Sequence, residues 1–357
     1  MLNSSLELLA ALLPEGADGA LMISETNRRY FTGFASDAGY LLLTKKKAFL
    51  LMDPRYSEAA AYSADGAEVI EFHDLGETLG KLVSENQLSC IALEGSAFTL
   101  NEAERIEKYL SPAETIKTKA LDEAVSKLRI IKTSYEVERI MKAQRITEQA
   151  LRETLPFVRV GAKEKDIALE LEYRMRKIGA EGVSFDLIVI SGRKTSMPHG
   201  VPGENLIRPG DFVTFDIGAL YEGYHSDMTR TYAVGEISEK QKRVYQTVFD
   251  AQKKGLDAVR AGIPASDVDK AARDHIYHAG YEGCFGHSTG HGVGLEIHEQ
   301  PAVSSKSTTI LQSGMVITVE PGIYLPGQFG VRIEDTVVVT ADGHINLCTV
   351  PKEITVL

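Results

Sequence analysis

Four carboxylates stand where a strand-forming chain rarely places them. Asp216 lies inside the apolar run Val213-Thr214-Phe215-Asp216-Ile217, and Asp227 opens Asp227-Met228-Thr229-Arg230-Thr231. Glu320 ends Val316-Ile317-Thr318-Val319-Glu320, and Glu334 lies in Val331-Arg332-Ile333-Glu334-Asp335-Thr336. A carboxylate inside a β-branched run is costly to bury without a compensating cation. Four that converge repel one another and are driven to take up protons, unless divalent cations offset the charge. His291 adds a nitrogen donor within Gly290-His291-Gly292-Val293-Gly294, where glycine lets the backbone approach a metal or substrate closely. Four carboxylates and one imidazole suit Mn²⁺, Co²⁺ or Zn²⁺ rather than an ion that prefers thiolates. Two such ions about 3.5–4 Å apart can activate a water and polarise a scissile carbonyl. Any one of these residues alone reads as a turn or surface group. The glycine-rich stretch also superficially resembles a phosphate loop, but no Lys-Ser/Thr pair completes one.

An internal repeat positions the carboxylates. Val158-Arg159-Val160-Gly161 is followed by Asp166, Gly179, Glu181 and Gly182, and Val259-Arg260-Ala261-Gly262 by Asp267, Gly280, Glu282 and Gly283, each pair offset by 262 − 161 = 101 residues. Each copy predicts a helix, a glycine stop, a second amphipathic helix and a second stop. A strand pair follows each copy, 212–217 with 229–234 and 316–320 with 331–339, and each hairpin, its connection included, carries two of the four carboxylates. Two such halves can close a curved sheet with the helices packed outside it.

Upstream, the short apolar runs 20–24, 40–43, 48–52 and 91–93 predict strands, with helices over 58–63 and 75–85. Thr133-Ser134-Tyr135-Glu136 predicts a capping box that opens a long helix. A length of 357 residues fits two domains at roughly 150 each, and the boundary is expected between 122 and 132. The net charge of −11 disfavours nucleic acid as a partner. Cys90, Cys284 and Cys348 lie far apart, which excludes a disulfide framework and suits a reducing compartment. The N-terminus lacks the basic segment of a signal peptide, and no apolar run reaches the roughly 18 residues of a membrane span, so a soluble cytoplasmic protein is expected.

In the order Asp216, Asp227, His291, Glu320, Glu334, the chain resembles the M24 "pita-bread" metallopeptidases. Phe215-Asp216-Ile217-Gly218, Ser226-Asp227-Met228-Thr229-Arg230-Thr231, Val319-Glu320-Pro321-Gly322 and Arg332-Ile333-Glu334-Asp335 carry the resemblance, which covers nearly the whole chain. Asn27, Tyr30-Phe31-Thr32-Gly33-Phe34 and Asp53-Pro54-Arg55-Tyr56 resemble a creatinase-type N-terminal domain, and Leu128-Arg129 with Lys132 and Glu136 resemble its junction. The implied fold is α+β: a smaller α/β domain over 1–122, then a pita-bread catalytic domain with a pseudo-twofold repeat over 123–357. Within that family, methionine aminopeptidases lack the N-terminal domain, aminopeptidase P and prolidase carry it, and creatinase carries it without the metal ligands.

The resemblance therefore implies a hydrolase that cuts between an N-terminal residue and proline, an Xaa-Pro aminopeptidase or dipeptidase acting on proline-containing peptides. It implies a homodimer with two divalent ions per subunit, Mn²⁺ first and Co²⁺ or Zn²⁺ as alternatives, held by Asp216, Asp227, His291, Glu320 and Glu334. Glu320 is the implied general base. His287 and His298 fall at active-site histidines that orient substrate or stabilise the oxyanion, His199 in Met197-Pro198-His199-Gly200 faces the substrate, and Arg332 is the arginine two residues before the last ligand. Phe185 is a candidate wall of the proline pocket. A creatinase-like amidinohydrolase and a non-catalytic binding protein on the same fold are the alternatives, and both are expected to have lost ligands that this chain keeps.

Overall fold

Long apolar runs buried on both faces make the N-terminal sheet, and helices cover it on each side. The computed structural model describes residues 2–357 and divides into a unit ending at Arg129 and a unit from Ile130 to Leu357. The first unit runs α1 (Ser4–Ala11), β1 (Gly19–Met22), α2 (Glu25–Thr32), β2 (Tyr40–Thr44), β3 (Ala48–Met52), α3 (Ser57–Ser63), β4 (Glu68–Glu71), α4 (Leu75–Glu85), β5 (Cys90–Leu93), α5 (Leu100–Leu110), β6 (Glu114–Ile116) and α6 (Ala120–Arg129). Its six strands lie in the order β4-β3-β2-β1-β5-β6, antiparallel through β1, β2 and β3 and parallel elsewhere. Strand residues alternate between two cores. Leu41, Leu43, Leu50 and Met52 pack with Leu6, Phe31 and Val125, whereas Leu42, Phe49 and Leu51 pack with Leu79, Val83 and Ile106. Of the 122–132 span expected to hold the boundary, the first residues lie inside α6. Leu121, Ala124 and Val125 of that helix belong to the first unit's core, so the division comes after Arg129.

The second unit begins with α7 (Ser134–Thr154), opened by the reciprocal Thr133–Glu136 capping box that the sequence signals. After it come α8 (Glu164–Ile178), β7 (Gly182–Val183), β8 (Ile188–Ser191), β9 (Phe212–Ile217), β10 (Ala219–Tyr221), β11 (Tyr224–His225) and β12 (Met228–Ala233). The second half runs α9 (Glu239–Ala258), α10 (Ala265–His278), β13 (Gly290–Gly292), β14 (Glu299–Val303), β15 (Val316–Val319), β16 (Gly322–Leu325), β17 (Phe329–Arg332), β18 (Asp335–Val339) and β19 (His344–Asn346). The repeat extends to backbone conformation. Gly161 and Gly262 have φ of 84° and 86°, and Gly179 and Gly280 have 118° and 87°, so each helix stop takes the left-handed turn that glycine adopts without strain. Among the described residues no helix is long and apolar enough to cross a membrane.

Hydrogen bonding divides the strands into ladders, with β9 between β8 and β12 in the first half and β15 between β13 and β18 in the second. Helices α7 and α8 bury Ile146, Leu151, Leu171 and Met175 against the first ladder, and α9 and α10 bury Leu256, Ala265 and Val268 against the second. The strand expected over 331–339 is two strands. β17 pairs with β16, then the chain changes partner at Ile333-Glu334 and β18 pairs with β15. Glu334 therefore sits in a break between strands. Glu320 likewise follows the last residue of β15 rather than ending it.

Arg230 on β12 ties the two halves together from a nearly inaccessible position. It donates to Asp335 Oδ1 at 2.8 Å, to the Glu334 carbonyl at 2.5 Å, to the Thr229 carbonyl at 2.9 Å and to the Val350 carbonyl at 2.8 Å. Asp335 also accepts from Lys352 at 2.5 Å and Asn346 at 2.8 Å. Burial alone would raise the Asp335 pKa, but Arg230 and Lys352 hold it down at about 2. Removing one partner of a buried pair strands the other, at about 3–5 kcal/mol. Arg230→Leu is therefore expected to lower unfolding free energy by about that amount in urea titrations; an unchanged midpoint contradicts this role.

Candidate metal centre

A cavity of about 500 Å³ in the second unit is lined by all nine residues singled out by sequence, namely Asp216, Asp227, His291, Glu320, Glu334, His287, His298, His199 and Arg332, together with Phe185. Each arrives from a different piece of the ladders. Asp216 projects from β9, where it stands opposite Thr229 of β12, and Asp227 immediately precedes β12. His291 is the middle residue of β13, squeezed between β14 and β15. A side chain at Gly290 would lie 2.0 Å from the Thr318 carbonyl oxygen, and one at Gly292 would lie 2.2 Å from that of Gln300. Only glycine fits on either side of this histidine.

The donor atoms converge as the chemistry of a cation site requires. One ligand atom each of Asp227, His291 and Glu334 lies within 4.8 Å of the other two. His291 Nε2 is 3.5 Å from Asp227 Oδ2 and 3.5 Å from Glu320 Oε1. Its other nitrogen, Nδ1, donates to the Gly292 carbonyl at 3.1 Å, which leaves the Nε2 lone pair facing the carboxylates. Burial pushes His291 down to about 4, so it is a neutral ligand rather than a cation that could balance the acids.

The electrostatics of the carboxylates show what is missing. Burial, followed by the charges of Glu334, Asp216 and Glu320, drives Asp227 well above the ordinary aspartate range. Burial, followed by Glu320 and Asp216, does the same to Glu334. Burial raises Glu320 to about 8, with Arg332 opposing and Asp216 adding to the rise. Asp227 Oδ1 is buried and has no hydrogen-bond partner. A buried carboxylate oxygen without a donor is rare and costly. The donor set, hard oxygens plus one imidazole around an orphaned oxygen, fits divalent ions of the Mn²⁺ to Zn²⁺ series.

Several residues that the sequence did not single out hold the ligands in place. Thr229 Oγ1 donates to Glu334 Oε2 at 2.7 Å and accepts from Arg332 Nε at 3.2 Å. Arg332 reaches Asp216 Oδ2 at 2.5 Å and the Tyr324 hydroxyl at 2.7 Å. Tyr324 in turn lies 2.8 Å from His287 Nε2, while His287 Nδ1 meets the Ser288 carbonyl at 2.8 Å. Both His287 nitrogens are thus engaged, whereas His298, whose ring lies 4.4 Å from that of His291, is exposed on the cavity wall.

Asp269 and Arg273, four apart on α10, fix the loop of His287. Arg273 donates to the carbonyls of Phe285 and His287, and Thr289 donates to Asp269. Glu164, fully buried at the start of α8, fixes the segment of His199, accepting from Ser191 N at 2.7 Å, Lys194 Nζ at 2.7 Å and Gly203 N at 3.1 Å. Only the i,i+4 spacing of Asp269 and Arg273 is a local signal; Thr229, Tyr324 and Glu164 act across the fold.

A model of metallopeptidase family M24 matches residues 138–341, and one of the creatinase/prolidase N-terminal domain matches residues 6–131. The chain is 36% identical to the Xaa-Pro dipeptidase of Pyrococcus horikoshii, over 99% of each chain. The solved structure of an Xaa-Pro dipeptidase from Bacillus anthracis superposes with a TM-score of 0.95 at 43% identity, covering 99% of each chain. The X-Pro aminopeptidase from Thermotoga maritima superposes with a TM-score of 0.91 at 39% identity, covering 96% of this chain and 98% of its own.

The pKa directions set a pH test. Carboxylates held above their unfolded values near 4 keep protons that the unfolded chain has released, so the cation-free fold loses stability as pH rises toward about 8. His225, His287 and His291, lowered by burial to about 4, act in the opposite direction, but only below their ordinary 6.5. Between pH 6.5 and about 8.5 the melting temperature of chelator-treated protein is expected to fall, and Mn²⁺ is expected to raise it most at the upper end. A Mn²⁺-induced shift that is the same at both ends contradicts the carboxylate assignment.

Proposed function

The chain belongs to metallopeptidase family M24, and on that footing we propose that it is a metal-dependent exopeptidase that hydrolyses the bond between an N-terminal residue and a following proline. It is a hydrolase with the pita-bread fold behind a creatinase-type N-terminal domain. The creatinase-like and non-catalytic alternatives are not favoured, because the relatives are Xaa-Pro peptidases and every ligand-type residue is retained. The observation that carries the proposal is the buried, partnerless Asp227 Oδ1 among acids that share no free cation.

Asp216, Asp227, His291, Glu320 and Glu334 would hold two divalent ions, Mn²⁺ in this reading. When bound, such ions offset the carboxylate charge, polarise the scissile carbonyl and make a water more acidic. Glu320 takes the proton of the attacking water on its carboxylate and returns it to the prolyl nitrogen. That nitrogen carries no hydrogen in the substrate, so expulsion of the proline depends on this proton. His298 and His199 supply N–H donors to the substrate carbonyls, as positioned donors should. His287, tied through Tyr324 to Arg332, keeps Asp216 and the cavity wall in register. Phe185 offers an apolar wall for the proline ring.

The free thiols at Cys90, Cys284 and Cys348 suit a reducing compartment, and a cytoplasmic homodimer completes the proposal.

Glu320→Gln is expected to lower kcat on Xaa-Pro peptides by about 10²–10⁴-fold, the usual worth of a positioned general base. EDTA is expected to abolish activity and Mn²⁺ to restore it, with Xaa-Ala peptides left uncut throughout. Full turnover by the Gln variant, or by protein shown to be metal-free, contradicts the mechanism.

A further inference from the structure

A free Xaa-Pro dipeptide brings its own carboxylate into the cavity, and the cavity walls have nothing positive to meet it. In such a dipeptide the carboxylate carbon is two bonds from the scissile nitrogen, about 2.5 Å away, so it enters the cavity together with the scissile bond. Among the described residues lining the cavity there is no lysine, and Arg332 is the one arginine. Its guanidinium is already committed. Nε donates to Thr229 Oγ1 at 3.2 Å, Nη1 to the Tyr324 hydroxyl at 2.7 Å and the Pro198 carbonyl at 3.3 Å, and Nη2 to Asp216 at 2.5 Å. Its side chain is 4% exposed. Lys194, at the base of the His199 segment, is held by buried Glu164 at 2.7 Å, and Lys132 is buried against Glu299 at 2.6 Å. Asp186 adds a further carboxylate to the lining, beyond those of the metal centre.

We infer that this site takes peptides that continue beyond proline and discriminates against the free dipeptide, because its walls offer donors for a carbonyl and no free cation for a carboxylate. It rests on the Xaa-Pro reading above and narrows it to a substrate class. A peptide with a third residue presents an uncharged carbonyl where the dipeptide presents a charge. His199 and His298 are exposed on the cavity wall and make no hydrogen bond among the described residues, so either can donate to that carbonyl. Next to His199, Met197 and Val201 are 58% and 72% exposed, and Val201 lines the cavity, so the wall here is open to solvent. A desolvated charge left without a partner costs more than a desolvated carbonyl that finds a donor.

The test uses the Mn²⁺-loaded full chain at pH 8, above the ordinary imidazole range, with Ala-Pro, Ala-Pro-NH₂ and Ala-Pro-Ala as substrates. The amide removes the charge and adds no residue. Ala-Pro-NH₂, which has no terminal charge, and Ala-Pro-Ala, whose carboxylate lies one residue further out, are each expected to exceed the dipeptide in kcat/KM by at least about tenfold, the effect of one unpaired charge. Val201→Lys, which places a cation at the opening, is expected to raise the dipeptide-to-amide ratio of kcat/KM at least about threefold, through KM. Ala-Pro cleaved as well as or better than the amide, or a ratio that Val201→Lys leaves unchanged or lowers, overturns the inference. Failure to cleave all three overturns the Xaa-Pro reading itself, and this inference with it, and that pattern differs from a dipeptide preference.

Discussion

Two neighbouring carboxylates, Glu334 and Asp335, show the constraint on which the rest of the structure depends. Asp335 is buried and fully ionised because Arg230 and Lys352 are built around it. Glu334, one residue earlier and equally buried, faces Asp227, Asp216 and Glu320, receives one hydroxyl, and is pushed far the other way. The fold can therefore neutralise a buried acid with its own cations, and it does so on one side of this chain segment only. On the other side Arg332 reaches Asp216, and Asp227, Glu320 and Glu334 form no ion pair with a lysine or arginine among the described residues. Protons or a divalent ion can offset that charge, and the donor set of oxygens with one imidazole fits the ion.

The two related halves solve the geometric part of the same problem. One supplies a three-strand ladder and the other a five-strand ladder, each braced by a helix pair, and three of the acids stand where strands begin, end or change partner, Asp227 before β12, Glu320 after β15 and Glu334 between β17 and β18, while Asp216 projects from within β9. Those are the places where a side chain can turn inward without breaking ladder hydrogen bonds. Arg332, Tyr324 and Thr229 then link acids of both halves into one network, so a shift in one ligand is felt by the others. Holding repelling groups close takes such a rigid frame, and the glycines beside His291 allow three strands to close around it.

Much of this was legible in the sequence because it is local or periodic. The strand runs 40–43 and 48–52, the Thr133–Glu136 capping box and the 101-residue repeat all reappear as structure. The site residues stood out because acids inside apolar runs violate ordinary patterning. What the sequence concealed is non-local. The break at Ile333-Glu334 was hidden because β-branched residues stand on both sides of it, Val331 and Ile333 before and Thr336 to Val339 after, and a change of strand partner leaves no trace in that pattern. Tyr324 and Glu164 look like unremarkable strand and helix residues until their partners are brought beside them by the fold.

Anomalous diffraction at the manganese edge, from crystals of the Mn²⁺-loaded protein grown near pH 8, tests the central claim most directly. Two peaks per chain are expected within the group formed by Asp216, Asp227, His291, Glu320 and Glu334, with Asp227 Oδ1 no longer without a partner. A site free of anomalous density, with the acids still clustered and protonated, would contradict the account.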